Sequence, residues 1–552
     1  MAVGDGYPVG VGSAVVAPIL DREYIPKPEP PRPEDARLPR KLAIIVNHGM
    51  GQQVPFETLE LVAQALWKKE LEAGHRAEAV VTRMVRLGTG GKPEELELAR
   101  AEVRLTQADG TPVEAHLYEA YWAPLTAGKV NLRQVIGFLL DAGWNGIRVS
   151  MGGSFRRWMF DTWQDIKIRR PQLVFSFLAA ILTVLSLVVV NAMIAAAAAS
   201  HTLGGSSSWP PAKQLGVLTL DLFLVDLCAL SIFVGTILLP RLARKLRRLR
   251  KPLHYVAWAF VLVGIAGILV MGVVVSLHLL FKSTGIVPGP FLNRWSVLIL
   301  WTLAVVGSAL ARNIIVEYAG DVTAYIAFHT VSVFLEVRKA IFELATNVAR
   351  AVYRARTDDG RDFLYQDVIV VGHSLGSVIA YDVLNGLFIE EGFSSQPLDV
   401  AGRTALFLTF GSPLDKTAFV FRTQQDANSR LREAEATTVQ PMIQAGYHFR
   451  PRHWKNIWSH SDWISGSLEY YDDWVGMTGG DRRVKNYRDP EATAPLVAHT
   501  QYWQNDLFAN LLYAAATERP QPQPKELTPW QKRRAWLFAQ PVDPLKSAYR
   551  PR

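Results

Sequence analysis

The pattern of apolar and polar positions divides the chain into two soluble halves separated by a long apolar region. Crossing a bilayer takes about 20 apolar residues. Four stretches of that region are long and apolar enough, namely residues 173–199, 215–239, 253–280 and 295–311. In the two halves, short apolar runs and amphipathic segments predict strands and helices. We therefore predict an α/β fold, with a mostly parallel sheet and helices on both faces, split by a four-helix transmembrane insertion.

Individual elements of the two halves follow from the same pattern. Apolar runs predict strands at 42–46, 368–371, 405–410 and 454–459. A hairpin is expected over 101–121, turning at Asp109 and Gly110. Helical patterns cover 321–356, 377–388 and 506–516. We expect the first of these helices to pack on the sheet through an apolar stripe of Phe334, Val337, Ile341, Leu344 and Val348.

Basic residues flank the apolar stretches unequally. Segment 241–251 is rich in Arg and Lys and contains no acidic residue, and a second basic segment precedes the first stretch. The positive-inside rule places both segments in the cytoplasm. Because the number of stretches is even, both soluble halves lie on the same side. We predict a multi-pass protein of the inner or plasma membrane, with the soluble domain and both termini cytoplasmic.

Charge and composition refine the expected partners. The formal net charge is +9, which alone would suggest nucleic acid, but many basic residues cluster beside the apolar stretches. We therefore predict a lipid bilayer as partner and no nucleic acid. Cys228 is the sole cysteine of the sequence, which excludes an intrachain disulfide and a thiolate metal cluster. Asp221 and Asp226 fall in the second stretch, where a boundary role and a polar path both stay open.

The segment Gly372-His-Ser374-Leu-Gly376 carries the strongest chemical signal in the chain. It lies between a predicted strand and a predicted helix. A serine at such a turn, with glycines two positions away on each side, is typical of a nucleophile elbow, which exposes the serine Oγ. Side chains at 372 or 376 would collide with the neighbouring strand and helix. The alternative is a glycine-rich turn with an incidental serine.

A second glycine loop, Asn-His-Gly-Met-Gly-Gln-Gln at residues 47–53, follows the first predicted strand. A His-Gly-x-Gly loop after an early strand supplies an oxyanion donor in serine hydrolases. We expect one backbone N–H from Leu375 and another from Gly49 or Met50. Taken alone, the loop could also be an ordinary turn.

The acid and base of a triad should follow the serine in that order. Asp462 comes just after the predicted strand 454–459, and Asp415, after strand 405–410, is the alternative acid. His499 lies downstream of both and precedes a predicted helix, so we choose it as the base. Three other histidines precede the chosen acid and are disfavoured by chain order: His448, His453 and His460.

With these segments in hand, the chain resembles the α/β-hydrolase serine esterases and lipases. It is most similar to their bacterial membrane-associated branch and to the lipase-like group that includes the GPI inositol-deacylase family. The matching segments are VNHGMGQQ (46–53), HLYEAYWAPL (116–125), GDVTAY (320–325), VVGHSLGSVIAYD (370–382), FGSPLDK (410–416), NIWSHSDWIS (456–465) and AHTQYW (498–503). The resemblance implies an α/β-hydrolase fold and a serine esterase or lipase activity.

The expected organisation places two hydrolase halves at 41–165 and 319–517, an insertion at 166–318, and Pro-rich tails at 1–40 and 518–552. The expected function is a membrane-embedded hydrolase that cleaves lipid acyl esters through an acyl-enzyme on Ser374. No cofactor and no metal are expected. An acyltransferase or thioesterase with the same triad, and a non-catalytic membrane scaffold on this fold, stay open as alternatives.

Overall fold

The computed structural model describes the two halves and little of the region between them. The described residues are 39–50, 54–87, 96–126, 129, 154–160, 162–167, 332–395, 397–417, 439–444, 447–462, 464–468, 471–472, 482–492 and 498–520, with isolated positions from 228 to 325. Strands in this part are β1 (Arg40–Asn47), β2 (Val81–Leu87), β3 (Leu96–Thr106), β4 (Pro112–Ala120), β5 (Ser154–Met159), β6 (Thr162–Lys167), β7 (Asp367–His373), β8 (Thr404–Phe410), β9 (Trp454–Trp458) and β10 (Val484–Arg488). Its helices are α1 (Glu57–Glu72), α2 (Ser332–Arg354), α3 (Leu375–Gly392), α4 (Val400–Arg403), α5 (Ala498–Gln501) and α6 (Asp506–Ala516).

Eight of these strands form one sheet in the order β10-β9-β8-β7-β1-β4-β3-β2. All pairs from β10 to β4 are parallel, and β4, β3 and β2 pair antiparallel. The β5–β6 hairpin is separate, and it ends at Lys167, beyond the expected domain boundary at 165. The α/β class and the mostly parallel sheet are thus confirmed.

Strands from both sides of the apolar region meet at the centre of this sheet. β1 pairs with β7 in parallel, with Val46 opposite Val371 and Asn47 opposite Gly372. Carboxyl ends of parallel strands lie at one edge of a sheet. The register therefore places the loop after β1 beside the turn after β7.

Helices cover both faces of the sheet. Alternate strand residues point to opposite sides, and the central strands are apolar on both sides, so each face needs a covering layer. In β1, Ala43 and Ile45 belong to the core that includes residues of α2 and α3. Leu42, Ile44 and Val46 belong to the core that includes residues of α1 and α6. The predicted stripe on α2 packs into the first core, with four members buried and Leu344 partly buried.

The predicted strands and the hairpin appear with shifted ends, and the helix predicted at 506–516 appears with the predicted ends. The helix expected at 377–388 is longer, since α3 begins at Leu375 and ends at Gly392. The predicted strands did not include β2 and β10, which lie at the two edges of the sheet. Of the helix expected at 321–356, the continuous described part is α2.

The four predicted membrane stretches lie outside the described residues, apart from isolated positions in two of them. Within the described part of the chain, no helix combines the length and apolarity needed to cross a bilayer. Asp221, Asp226 and both predicted tails, except for residues 39–40 and 518–520, also lie outside the described residues.

Candidate active site

Ser374 occupies the sharp turn between β7 and α3. Its backbone has φ 53° and ψ −128°, a conformation that is strained for a residue with a side chain and that recurs at functional sites. The Ser374 amide donates to the Phe410 carbonyl oxygen of β8 at 3.1 Å. The expectation of an exposed Oγ is wrong, because Ser374 is fully buried. It lines a cavity of about 220 Å³ instead.

The two glycines of the turn stand where backbones pass closely. A Cβ at Gly372 would lie 2.6 Å from the Ser377 Cα atom of α3. A Cβ at Gly376 would overlap the carbonyl oxygens of Asn47 and His48 at the end of β1. Both positions therefore require glycine for a steric reason, and Gly376 lets α3 begin directly against the loop that follows β1.

Replacing Gly376 by Ala should destabilise the domain by about 3 kcal/mol, at the upper end of the usual cost of overpacking, because backbone atoms cannot move aside as a flexible side chain can. Thermal unfolding should show a melting temperature several degrees lower. Gly392→Ala on the same helix is the matched control, since a Cβ there meets nothing within 4 Å. Equal melting temperatures for the two variants would contradict the steric explanation.

His499, in the short helix α5, contacts both Ser374 and Asp462. Its Nε2 lies 2.7 Å from the Ser374 Oγ, and its Nδ1 lies 3.0 Å from the Asp462 Oδ2. All three side chains are buried. The structure thus joins the predicted serine, base and acid in one chain of hydrogen bonds, with one ring nitrogen for each partner.

Asp462 is held by donors on both carboxylate oxygens. Besides His499, the Tyr502 hydroxyl donates to Oδ2 at 2.9 Å. The Ile464 amide donates to Oδ1, also at 2.9 Å. Burial alone would raise the pKa of Asp462, but the charge of His499 and these hydrogen bonds outweigh it. The pKa of Asp462 therefore lies well below its usual range, and the carboxyl is ionised at neutral pH.

Asp415, the alternative acid, has a lysine and not His499 as its charged partner. Its carboxylate is beside the Lys416 ammonium, with 3.4 Å between Lys416 Nζ and Asp415 Oδ2. It also packs on the backbone at Gly466, where a Cβ would overlap the carboxylate. Burial raises the pKa of Asp415 despite that lysine. The acid that contacts His499 in this structure is therefore Asp462.

The predicted oxyanion loop reaches the same cavity. Gly49 and Met50 line it together with Ser374 and His499. The loop is anchored by His48, whose Nε2 accepts the Trp122 amide at 3.0 Å and whose ring stacks on the Trp122 indole. Burial lowers the pKa of His48 to about 4, so the ring is neutral and can accept that bond. Leu375 follows the serine as the first residue of α3; Gly51, Gln52 and Gln53 lie outside the described residues.

Comparisons of this chain with protein-family models, with curated proteins and with solved structures gave no match. The functional interpretation of the site therefore depends on its geometry and chemistry.

Sequence reasoning missed two residues that support the triad. Tyr502, three residues after His499, donates to Asp462 and lies 3.0 Å from the Ser465 Oγ. His373, directly before Ser374, has its Nε2 3.0 Å from the His499 carbonyl oxygen. Tyr502 lies about one helical turn after His499, and this spacing could have indicated a shared site. For His373, nothing in the sequence indicated that its partner is the backbone of His499.

A separate group of Glu102, Glu114 and His116 brings three atoms that could ligate a metal within 4.8 Å of one another. Glu102 is already paired with Arg100, and the Arg83 guanidinium lies 3.6 Å from it. These positive charges balance the carboxylates and oppose a bound cation. We assign no metal to this group.

Proposed function

We propose that the protein is a serine hydrolase of the α/β-hydrolase type that cleaves carboxylic esters through an acyl-enzyme. The observation that carries the proposal is the continuous hydrogen-bond chain from the Ser374 Oγ through His499 to Asp462. A serine, an imidazole and a carboxylate with these contacts are the parts of a nucleophilic triad. The strained turn at Ser374 supports the same assignment.

In this mechanism the Ser374 Oγ attacks the ester carbonyl carbon while His499 Nε2 takes the hydroxyl proton. Asp462 accepts the Nδ1–H bond, which fixes the tautomer with Nε2 as the proton acceptor and stabilises the imidazolium. His499 then gives the proton to the leaving alcohol. In the second half-reaction, His499 deprotonates a water molecule, which attacks the carbonyl carbon of the acyl-enzyme. The bond from that carbon to the Ser374 Oγ then breaks, His499 returns the proton to the Oγ, and the acid leaves.

The oxyanion formed in each half-reaction needs backbone donors. We propose Leu375, at the N-terminus of α3, and Gly49 or Met50 in the loop after β1. Gly49 and Met50 line the cavity that contains Ser374, and the pairing of β1 with β7 supports their use with a nucleophile from the other half of the chain. Losing one such donor typically costs about 100- to 1000-fold in rate.

Lipid acyl esters are the substrate class that we propose. Leu61 of α1 and Trp503 are among the residues that line the cavity, and they offer apolar surface to an acyl chain. The four predicted membrane stretches would hold this site at the cytoplasmic face of an inner or plasma membrane. A lipid would then reach Ser374 without crossing bulk water.

A fluorophosphonate probe tests the proposal directly, because it phosphonylates an activated serine. Membranes containing the wild-type protein should be labelled, and Ser374→Ala should abolish labelling. Ser394→Ala, at an exposed position beyond α3, is the control and should label like the wild type. An unlabelled wild type, or equal labelling of Ser374→Ala, would overturn the proposal.

Substrate class needs a second assay. Purified protein in detergent or vesicles should hydrolyse long-chain acyl esters presented in a bilayer faster than short, water-soluble esters. The reverse preference would refute the lipid substrate while leaving the hydrolase mechanism intact.

A further inference from the structure

We propose that His373, the residue before the nucleophile, is a positioning residue that sets the distance between Ser374 and His499. The inference rests on the proposed hydrolase function and adds to it a determinant of the reacting geometry. His373 does not belong to the hydrogen-bond chain of the triad. Instead, it forms a hydrogen bond with the backbone carbonyl group of His499, the proposed base.

The decisive contact joins the His373 Nε2 to the His499 backbone carbonyl oxygen at 3.0 Å. The two rings are tilted against each other with centroids 5.0 Å apart. His373 also contacts the Trp503 ring, with centroids 5.3 Å apart. The last residue of β7 therefore holds the segment of the base, and the nucleophile follows it directly in the turn.

The chemistry of this contact fixes which ring nitrogen carries the proton. A carbonyl oxygen can only accept, so the His373 Nε2 must be protonated to make the bond. His373 is buried, and burial lowers its pKa to about 3, with the neighbouring His499 acting in the same direction. The ring is therefore neutral at physiological pH, and its Nδ1 carries a lone pair.

The opposite edge of the ring faces the oxyanion loop. A Cβ at Gly49 would lie 2.7 Å from the His373 Nδ1 and 3.2 Å from the Ser374 Cβ. Gly49 must therefore be glycine for the loop to come this close. His373 lies between the loop proposed to bind the oxyanion and the segment of the proposed base, and it contacts both.

A neutral ring at this position also suits the reaction. His499 becomes an imidazolium when it takes the Ser374 proton, and a charged neighbour 5.0 Å away would oppose that step. Neutral His373 fixes the carbonyl of His499 without repelling the charge that forms on its ring.

Two amide substitutions separate the role of Nε2 from that of Nδ1. Glutamine places its amide nitrogen where His373 has Nε2, whereas asparagine reaches only as far as Nδ1. A displacement of about 1 Å in a reacting group can cost about 100-fold in rate. We therefore expect His373→Asn and His373→Leu to lower kcat by about 100-fold, and His373→Gln to stay within about fivefold of wild type. KM should change little in all three variants.

Each variant should be measured in two ways, by kcat on a p-nitrophenyl ester and by complete titration with a fluorophosphonate. A positioning role predicts that His373→Asn still titrates to the wild-type stoichiometry, only more slowly. The inference is overturned if His373→Gln is no faster than His373→Asn. It is also overturned if kcat falls only in proportion to the fraction of protein that the fluorophosphonate titrates, because such a loss would mean that the substitution prevents folding. A wild type that does not titrate at all would instead overturn the proposed function, and this inference with it.

Discussion

Replacing His499 by Ala is expected to lower kcat by about a million-fold, the cost of removing the base from a comparable triad. The reason is that Ser374 would lose the acceptor 2.7 Å from its Oγ and would have to attack as a neutral hydroxyl. The effects of residues that act as one unit do not add. The double variant His499→Ala, Ser374→Ala should therefore be no slower than His499→Ala alone. The measurement is kcat for a p-nitrophenyl ester in purified protein.

The matched control for this prediction is His448→Ala, at a histidine that chain order disfavours as the base. It should keep turnover near that of the wild type. Multiplicative losses in the double variant would show that Ser374 and His499 act independently, and they would contradict the proposed mechanism.

The second large effect is expected at Asp462. Asp462→Asn should lower kcat by about ten thousand-fold with the fold intact, as the equivalent change does in a known triad. The amide that replaces the carboxylate can donate a hydrogen bond to His499 Nδ1, which favours the tautomer with its proton on Nε2. That tautomer cannot accept the Ser374 proton. Turnover at neutral pH measures this loss, and circular dichroism confirms the fold.

Asp415→Asn provides the comparison at a partly buried aspartate that also follows a strand. Because its carboxylate lies beside Lys416 and not His499, we expect kcat to change by less than about tenfold, consistent with a role in stability alone. A larger loss at Asp415 than at Asp462 would mean that the acid is Asp415.

The sequence predicted the parts of the site that depend on local geometry. Gly372 is required by a contact within the turn and Gly376 by the end of β1, the strand beside β7. Because both contacts come with the strand-to-helix turn itself, a short motif is enough to identify Ser374 as its centre. The choice between Asp462 and Asp415 was harder. Each follows a predicted strand, and β8 and β9 are neighbours in the sheet, so both acids leave it at the same edge. Which of the two reaches His499 depends on the conformation of the loops that carry them, such as the packing of Asp415 on Gly466.

Edge strands escaped prediction because their sequences do not alternate strongly between apolar and polar residues. In β2 every residue except Val85 and Leu87 is exposed, and β10 buries only Val484. Such strands are held by backbone pairing with a neighbour, and their charged side chains help to protect a free edge. Hydropathy patterns indicate which residues are buried, so they do not reveal a strand that is held only by backbone pairing.

The pairing of β1 with β7 has a consequence for how the protein is made. The Asn47 side chain donates to the Val371 carbonyl oxygen, 324 positions later in the chain. Synthesis at about 5–20 residues per second leaves β1 without this neighbour for tens of seconds. During that time an apolar strand has one edge unpaired, which is a hazard for aggregation. A ribosome pausing between the halves would lengthen the exposure, so the yield of folded protein should depend on translation speed across residues 168–331.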